Sequence, residues 1–339
     1  MTFHNYSSRL GCISPEQFQK SLQRFRLGEF IKAEPIPYGL FGQNVFLTST
    51  RGEFVFRGVP HSSWQFPTEC FFTNLLHQFT QTPVPYPYLV EPDKTLFGWS
   101  YVIMPRLPGL TLHDKKIKAQ LPVEDRLEIA RAVAKMLIEI QTLTLDVCGS
   151  FHAETNQVEP FEVNYRERVV QNIHEKLEAS CSYNENTTRS DVHFVEAILA
   201  KTKTVLPLPF QSTVVLGDYG EHNLVVERFN GNWKVSGVFD LMTAHFGDGT
   251  ADLSCPVMGY LKQNEIYADA FVQEYLSNKP ASNGFVELQQ LYMLDLTLSF
   301  WRYFQKHEGG LPEDKTKKWT FEQWARPRID YWEKYKVIF

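Results

Sequence analysis

The chain lacks any run of apolar residues near the roughly 18 that a membrane-spanning helix needs, so no span is expected. It lacks a C-x-x-C pair. Its five cysteines, Cys12, Cys70, Cys148, Cys181 and Cys255, are odd in number and far apart. That pattern argues against a disulfide framework and against a zinc site, and it suits a reducing cytosol. The segment Met1 to Gly11 is polar and mixed, without an apolar h-region, so no signal peptide is expected and the expected location is cytoplasmic. A large basic block is missing and the formal net charge is −5, so no nucleic-acid surface is indicated. The short basic run Lys315 to Lys318 follows Glu313 and Asp314 and reads as a solvated helix start. No G-x-S-x-G string occurs, so a Ser-His-Asp triad has no recognisable elbow. Internal repeats and low-complexity tracts are also missing.

What is present is ordinary globular sequence. At 43 % hydrophobic and 22 % charged residues, the chain can bury a core without metals or disulfides. Its 339 residues allow about two domains or one bilobal one. Ser14-Pro15-Glu16 marks a helix start, with Ser as cap and Pro at the first helical position, running to about Phe25. Strand-like stretches follow at 30–36, 44–48 and 53–57, the last two joined by the turn cluster Ser49-Thr50-Arg51-Gly52. A helix is predicted over about 67–79, with Phe71, Phe72, Leu75, Leu76 and Phe79 on one side. Pro83, Pro85 and Pro87 then force extended chain. A strand at 99–104 leads into the joint Pro105-Arg106-Leu107-Pro108-Gly109. Beyond it the periodicity turns helical at 122–143, 161–178 and 189–202. Short strands at 213–216, 223–227 and 233–239 precede a mostly helical remainder rich in Trp and Tyr. A strand-rich first third and a helical remainder make an α+β chain in two lobes.

Two strings carry the chemistry. The first is Leu216-Gly217-Asp218-Tyr219-Gly220-Glu221-His222-Asn223. The second is Gly237-Val238-Phe239-Asp240, followed by Gly247-Asp248 and Asp252-Leu253. Asp218 sits just after the β-branched strand Thr213-Val214-Val215, in a turn opened by Gly217, where a rigid base can present an active residue. Asn223 offers a neutral carbonyl oxygen, a donor that suits a hard cation such as magnesium. Asp240 at the end of a third strand can take the same cation from another side. Alone, each of these is an ordinary turn or strand start. In this order they suit phosphoryl transfer, where one carboxylate meets the attacking hydroxyl and an Asn and an Asp hold magnesium.

This pattern resembles the aminoglycoside phosphotransferase family, small-molecule kinases whose signature is His-Gly-Asp-x4-Asn, then an Asp after a strand, then Gly-Asp-x3-Asp-Leu. The wording Gly-Asp-Tyr-Gly-Glu-His-Asn is similar to the hygromycin-type branch. The resemblance runs from about residue 33 to 260. It implies a bilobal protein-kinase-like fold: residues 1–104 would form a small antiparallel-sheet N-lobe over the nucleotide, and residues 105–339 a mainly helical C-lobe with the catalytic loop. It implies Asp218 as catalytic base, Asn223 and Asp240 as Mg2+ ligands, and Asp248 and Asp252 as structural, with Asp252 holding the catalytic loop. In Tyr38-Gly39-Leu40-Phe41-Gly42-Gln43-Asn44-Val45, the glycines let backbone N–H groups approach phosphate oxygens. By the resemblance, Gly39, Gly42 and Asn44 would cover the phosphates of ATP. Arg57 would bind the α- and β-phosphates, held by Glu69 on the next helix. Adenine would meet backbone atoms around Met104 to Arg106. The implied activity is transfer of the γ-phosphoryl group of ATP to a hydroxyl of a small molecule.

Three departures stand out. Leu216 replaces the His that usually precedes Gly-Asp, which bears on loop packing. Arg57 stands where Lys is often found; Arg stays charged and grips phosphate in a fork. Asp240 is followed by Leu241-Met242 rather than an aromatic-Gly pair. A kinase-like nucleotide-binding module without transfer remains the alternative. A protein acceptor ranks last, because only seven residues separate Asp240 from Asp248. A metallophosphoesterase reading of Gly-Asp with His222-Asn223 lacks the further His and Asp clusters it needs. His61, His77 and His245 read as ordinary satisfied histidines, and Phe300-Trp301-Arg302-Tyr303-Phe304 as core and pocket wall.

Overall fold

A computed structural model describes residues 4–36, 42–183, 186–307 and 319–338. Along the chain run β1 (His4–Ser7), β2 (Gly11–Ile13), α1 (Pro15–Arg24), β3 (Phe30–Pro35), β4 (Asn44–Ser49), β5 (Gly52–Gly58), α2 (Gln65–Phe79), β6 (Leu89–Glu91), β7 (Tyr101–Pro105), β8 (Leu110–Thr111), α3 (Lys115–Gln120) and α4 (Val123–Ile140). They are followed by β9 (Gly149–His152), β10 (Gln157–Pro160), α5 (Tyr165–Tyr183), α6 (Arg189–Thr202), β11 (Ser212–Val215), β12 (Leu224–Phe229), β13 (Asn232–Val238), β14 (His245–Asp248), α7 (Ser254–Leu261), α8 (Glu265–Asn278), α9 (Phe285–His307) and α10 (Phe321–Asp330). The described residues fall into two compact units. The first holds residues up to Leu143 with Phe151–Glu159 and Glu221–Ala244; the second holds Thr144–Ser150, Pro160–Gly220 and the chain from His245 onward.

The first unit is built on an antiparallel sheet of order β3-β4-β5-β7-β6. Alternate residues of β4, Val45, Leu47 and Ser49, are buried, the period-2 pattern of a half-buried strand. Phe18 and Leu22 of α1 pack with Val45, Leu47, Phe56, Tyr101 and Ile103 into one apolar cluster. α1 starts where the sequence says it should. Ser14 and Gln17 form a reciprocal capping box, and Pro15 needs no N–H donor at the first turn.

α2 differs from the sequence pattern. Its buried stripe is Gln65, Phe66, Thr68, Glu69, Phe72, Thr73 and Leu76, whereas Phe79 is 61 % exposed. Of its polar members, Glu69 bonds the buried side chain of Arg57 and Gln65 bonds Glu69, and apolar periodicity cannot show that. β12 and β13 form an antiparallel hairpin edged by β8. The joint after β7 docks on this hairpin: at Gly109 (φ +122°) a Cβ would lie 2.4 Å from Ser236 Oγ and 2.7 Å from the Val226 carbonyl oxygen. A side chain there would push the joint off the sheet.

The second unit is mainly helical, with α5 and α9 packed along each other, α6, α7 and α10 also against α9, and α8 against α7. β11 pairs with β14 in antiparallel register from Ser212↔Asp248 to Val215↔His245. Behind this pair, Arg166 of α5 donates to Asp248 from Nε (3.0 Å) and Nη2 (2.6 Å), and from Nη1 to the carbonyls of Val205 (3.2 Å) and Leu208 (2.7 Å). The Tyr292 hydroxyl donates to the same carboxylate at 2.8 Å. Asp248 is thus a buried, fully bonded anchor, the structural part the resemblance implies for it. All five cysteines are free thiols. Among the described residues no helix is long and apolar enough to cross a membrane.

Candidate active site

The sequence-predicted residues fall into two groups, one in each unit. In the first unit, β5 sets Arg57 opposite Asn44 of β4 and opposite Val102 of β7. Arg57 is buried. Its Nη1 donates to Glu69 Oε2 at 2.9 Å and its Nη2 to Asp240 Oδ1 at 3.0 Å. Burial alone would lower the pKa of this guanidinium, but Glu69 and then Asp240 outweigh it, and the pKa is raised. Burial raises the pKa of Glu69, with the charge of Arg57 opposing. Glu69 also accepts from Gln65 Nε2 (3.0 Å) and from the Tyr88 hydroxyl (2.5 Å). A buried carboxylate with three donors is held in one rotamer, and it holds Arg57 in turn.

Asp240 lies two residues past the end of β13, at φ +63°. Asp tolerates this left-handed conformation better than most side chains. Asn223 does not begin a strand as the sequence suggests. It closes a 3-10 turn, Glu221–Asn223, because the chain must first bend out of the loop before β12 starts at Leu224. Its carbonyl accepts the Phe239 N–H at 3.1 Å, which fastens Asn223 beside the residue preceding Asp240. The two side chains therefore sit at the same end of one hairpin. Among the described residues no three His, Cys, Asp or Glu side chains group as a metal cage. One carboxylate and one amide are still a fitting set for magnesium, which keeps most of its shell for water and phosphate oxygens and takes few protein ligands.

Two buried atoms here have no hydrogen-bond partner: Asn44 Oδ1 and Arg57 Nε, on residues directly opposite each other across β4 and β5. An unsatisfied buried polar group costs about 1–3 kcal/mol. Arg57 Nε is an N–H donor without an acceptor in the fold, the kind of group that a phosphate oxygen accepts from. Gly42 has φ +57°, and its carbonyl accepts from the Ser7 hydroxyl at 2.5 Å. Gly39, with Tyr38, Leu40 and Phe41, lies outside the described residues. Met104 is buried in β7 opposite Val55. The Arg106 N–H donates to the Glu53 carbonyl at 3.0 Å, and its guanidinium lies 4.0 Å from the centre of the Phe46 ring.

In the second unit, β11 leads through buried Leu216 and exposed Gly217 to Asp218. The carboxylate of Asp252 accepts the N–H groups of Leu216 (2.6 Å) and Gly217 (2.8 Å). The Gly220 N–H returns to the Asp218 carbonyl at 2.9 Å. The backbone of Asp218 is thus fixed on both sides, and Leu216 takes its place in the core without the usual imidazole. Burial pushes the Asp252 pKa up to about 7 against the opposing pull of its two N–H donors. The Cys255 thiol donates to Asp218 Oδ1, with 3.7 Å between Sγ and Oδ1.

Sequence reasoning missed Gln65, Tyr88 and Cys255. The four-residue spacing of Gln65 and Glu69 on one helix was a usable signal; nothing marks the other two. His61 is an exposed histidine partnered by Arg9, its Nδ1 3.2 Å from Arg9 Nη1, as the sequence reading expected of an ordinary satisfied histidine. Burial and then the charges of Arg9 and Arg57 lower its pKa. A cavity of about 300 Å³ between α6, α9 and α10 is lined by none of the residues singled out above.

The profile of the phosphotransferase enzyme family, APH, matches residues 32–285. The chain belongs to that family. As an APH member it is a kinase-type phosphotransferase, which the sequence resemblance anticipated. No curated protein matches it by sequence. Among solved structures it is similar to a thermostable mutant of aminoglycoside phosphotransferase APH(4)-Ia in ternary complex with ADP and hygromycin B. That likeness has 15 % identity and a TM-score of 0.63, and covers 93 % of this chain and 97 % of that one. It is similar also to wild-type aminoglycoside 2'-phosphotransferase-IIIa bound to GDP (13 % identity, TM-score 0.60, 98 % and 99 % covered). A third likeness is to the choline kinase LicA from Streptococcus pneumoniae (12 % identity, TM-score 0.56, 94 % and 99 % covered). At these identities the likenesses establish the fold, α+β and protein-kinase-like.

Proposed function

We propose that this APH-family protein transfers the γ-phosphoryl group of ATP to a hydroxyl of a small molecule. The observation that carries the proposal is the buried fork of Arg57, bonded at one end to Glu69 and at the other to Asp240. It joins the cation expected to grip phosphates, the carboxylate that holds it and the carboxylate expected to hold Mg2+. Nucleotide complexes of two similar structures support the reading.

The acceptor hydroxyl oxygen attacks the γ-phosphorus in line. A new P–O bond forms, the bond to the β–γ bridging oxygen breaks, and ADP leaves with its electron pair. Asp218 takes the hydroxyl proton, and the products are ADP and a phosphate ester. Arg57, held by Glu69, grips the α- and β-phosphates. Gly39, Gly42 and Asn44 cover the phosphates, and the backbone around Met104 and Arg106 meets adenine, with the Arg106 N–H already committed to Glu53. Asn223 and Asp240 hold Mg2+, which when bound neutralises charge on the transferred group. In this scheme residues 1–104 serve the nucleotide and 105–339 the catalytic loop and the acceptor, and the site of action is the cytoplasm.

The acceptor class is tested by an ATP-consumption screen of the purified protein against aminocyclitol antibiotics, sugars, amino alcohols and hydroxy amino acids, with a GTP arm. Phosphorylation of one of them, lost in Asp218→Ala, supports the proposal. Mg2+-dependent ATP binding with no transfer to any compound would favour the second reading, a nucleotide-binding module without activity. Leu216 in place of His motivates that reading. The two N–H bonds to Asp252, made without an imidazole, weigh against it.

A further inference from the structure

We propose that Ser7 and Arg9, at the turn between β1 and β2, are positioning residues for the nucleotide phosphates: Ser7 holds the Gly42 carbonyl and Arg9 the Val59 carbonyl. The inference rests on Gly42 and Arg57 serving those phosphates. β1 and β2 form a separate two-stranded sheet ahead of residue 32, where the family match begins. Leu10 and Ile13 anchor this hairpin in the apolar cluster of Phe18 and Leu22, and the Tyr6 ring meets Phe18 edge-on at 5.3 Å. From that base the turn reaches two other segments. The Ser7 hydroxyl donates to the Gly42 carbonyl at 2.5 Å, and Arg9 Nε donates to the Val59 carbonyl at 3.0 Å.

Both segments adjoin the residues expected to meet phosphate. Asn44, two residues after Gly42, stands opposite Arg57, and Val59 follows Arg57 by two. The segments are tied to each other as well. The Gly58 N–H donates to the Gln43 carbonyl at 3.0 Å, and Gln43 Nε2 donates to the carbonyls of Gly58 (3.2 Å) and Val59 (2.6 Å). The hairpin adds one bond on each side. The Ser7 oxygen accepts the Leu10 N–H at 3.0 Å, which fixes it and commits its single proton to Gly42. In a planar trans peptide unit the C=O and N–H point in opposite directions. With the Gly42 carbonyl turned to Ser7, the Gln43 N–H is therefore turned away from the hairpin. An oriented backbone N–H beside a left-handed glycine is a donor that phosphate oxygens accept from. Val59 lies at φ +50°, a conformation that a β-branched residue keeps only when its surroundings hold it, and Arg9 and Gln43 both bond its carbonyl.

The test is calorimetric binding of Mg2+-ATP and of adenosine, which carries no phosphate, to the full chain. Ser7→Ala and Arg9→Met are each expected to weaken ATP about three- to tenfold, the scale of one lost hydrogen bond, and to leave adenosine unchanged. Ser7→Thr keeps the hydroxyl and is expected to bind ATP as wild type does. A hairpin that only anchors the fold gives a different result: both ligands weaken alike, or neither does. Either outcome overturns the inference. Arg57→Lys separates the two possible failures. Weaker ATP binding in Arg57→Lys with full binding in the hairpin variants overturns the inference alone. Wild-type ATP binding in Arg57→Lys overturns the reading of the phosphate site itself.

Discussion

Arg57 Nη2 lies 3.0 Å from Asp240 Oδ1, across 183 residues of chain. The same guanidinium is bound through Nη1 to Glu69, so one buried cation is shared by two carboxylates. The pairing leaves each partner dependent on the others.

Removing the cation should therefore be costly. Arg57→Met strands Glu69 in the core with only Gln65 and Tyr88 as donors, and breaking such a buried pair costs about 3–5 kcal/mol. A lower urea midpoint is the expected result. Arg57→Lys keeps the charge and recovers part of the stability, but loses the fork, and the KM for ATP should rise. Equal stability of the Met variant and wild type would refute the structural role.

Asp218→Ala should lower turnover by at least about 100-fold, the usual scale for a general base, and leave ATP affinity by calorimetry nearly unchanged. Normal turnover in this variant removes Asp218 from the mechanism.

Asp240→Asn is the cleanest probe of the cation site, because Asn accepts the left-handed backbone as readily as Asp. The expected outcome is a higher Mg2+ concentration for half-maximal activity, with the fold intact by circular dichroism. Asn223→Ala should act in the same direction. A Mg2+ dependence identical to wild type in both would place the ion elsewhere.

Asp252 makes stability depend on pH. Its pKa in the fold, about 7, lies above its ordinary value of 3.8. A group raised on folding contributes stability that is full below the ordinary carboxylate range and is lost as pH rises through the folded value. Stability should thus decline between about pH 4 and 7, and Asp252→Asn should lack that part of the decline. Denaturant titrations of both proteins across this window check it; parallel curves would contradict the assignment.

Much of this was legible in the sequence where the signal is local. Ser14 and Pro15 announce the start of α1, and α6 runs over the predicted 189–202 because Thr188 caps it with Asp191. Asp218, Asn223 and Asp240 were singled out by their spacing and by the family resemblance. The short strands β1, β2 and β14 escaped, since three or four residues give too little alternation to read. The partners Tyr88 of Glu69 and Cys255 of Asp218 were invisible for another reason: they are 19 and 37 residues away, and only packing brings them in. The missed exposure of Phe79 has a related origin: the inward face of α2 carries Glu69 bonded to Arg57 and Phe66 packed with Val102 and Met104, contacts that only the fold brings together.

The positive φ of Asp240 narrows what evolution or a library can put there. The turn admits Gly, Asn and Asp with little strain, while the ion pair to Arg57 calls for Asp or Glu. Only one residue satisfies both demands. Glu would keep the charge and strain the turn by about 1–2 kcal/mol; Asn would keep the turn and drop the charge. Position 240 has no neutral neighbour in sequence space, so drift can alter its surroundings more readily than the residue itself.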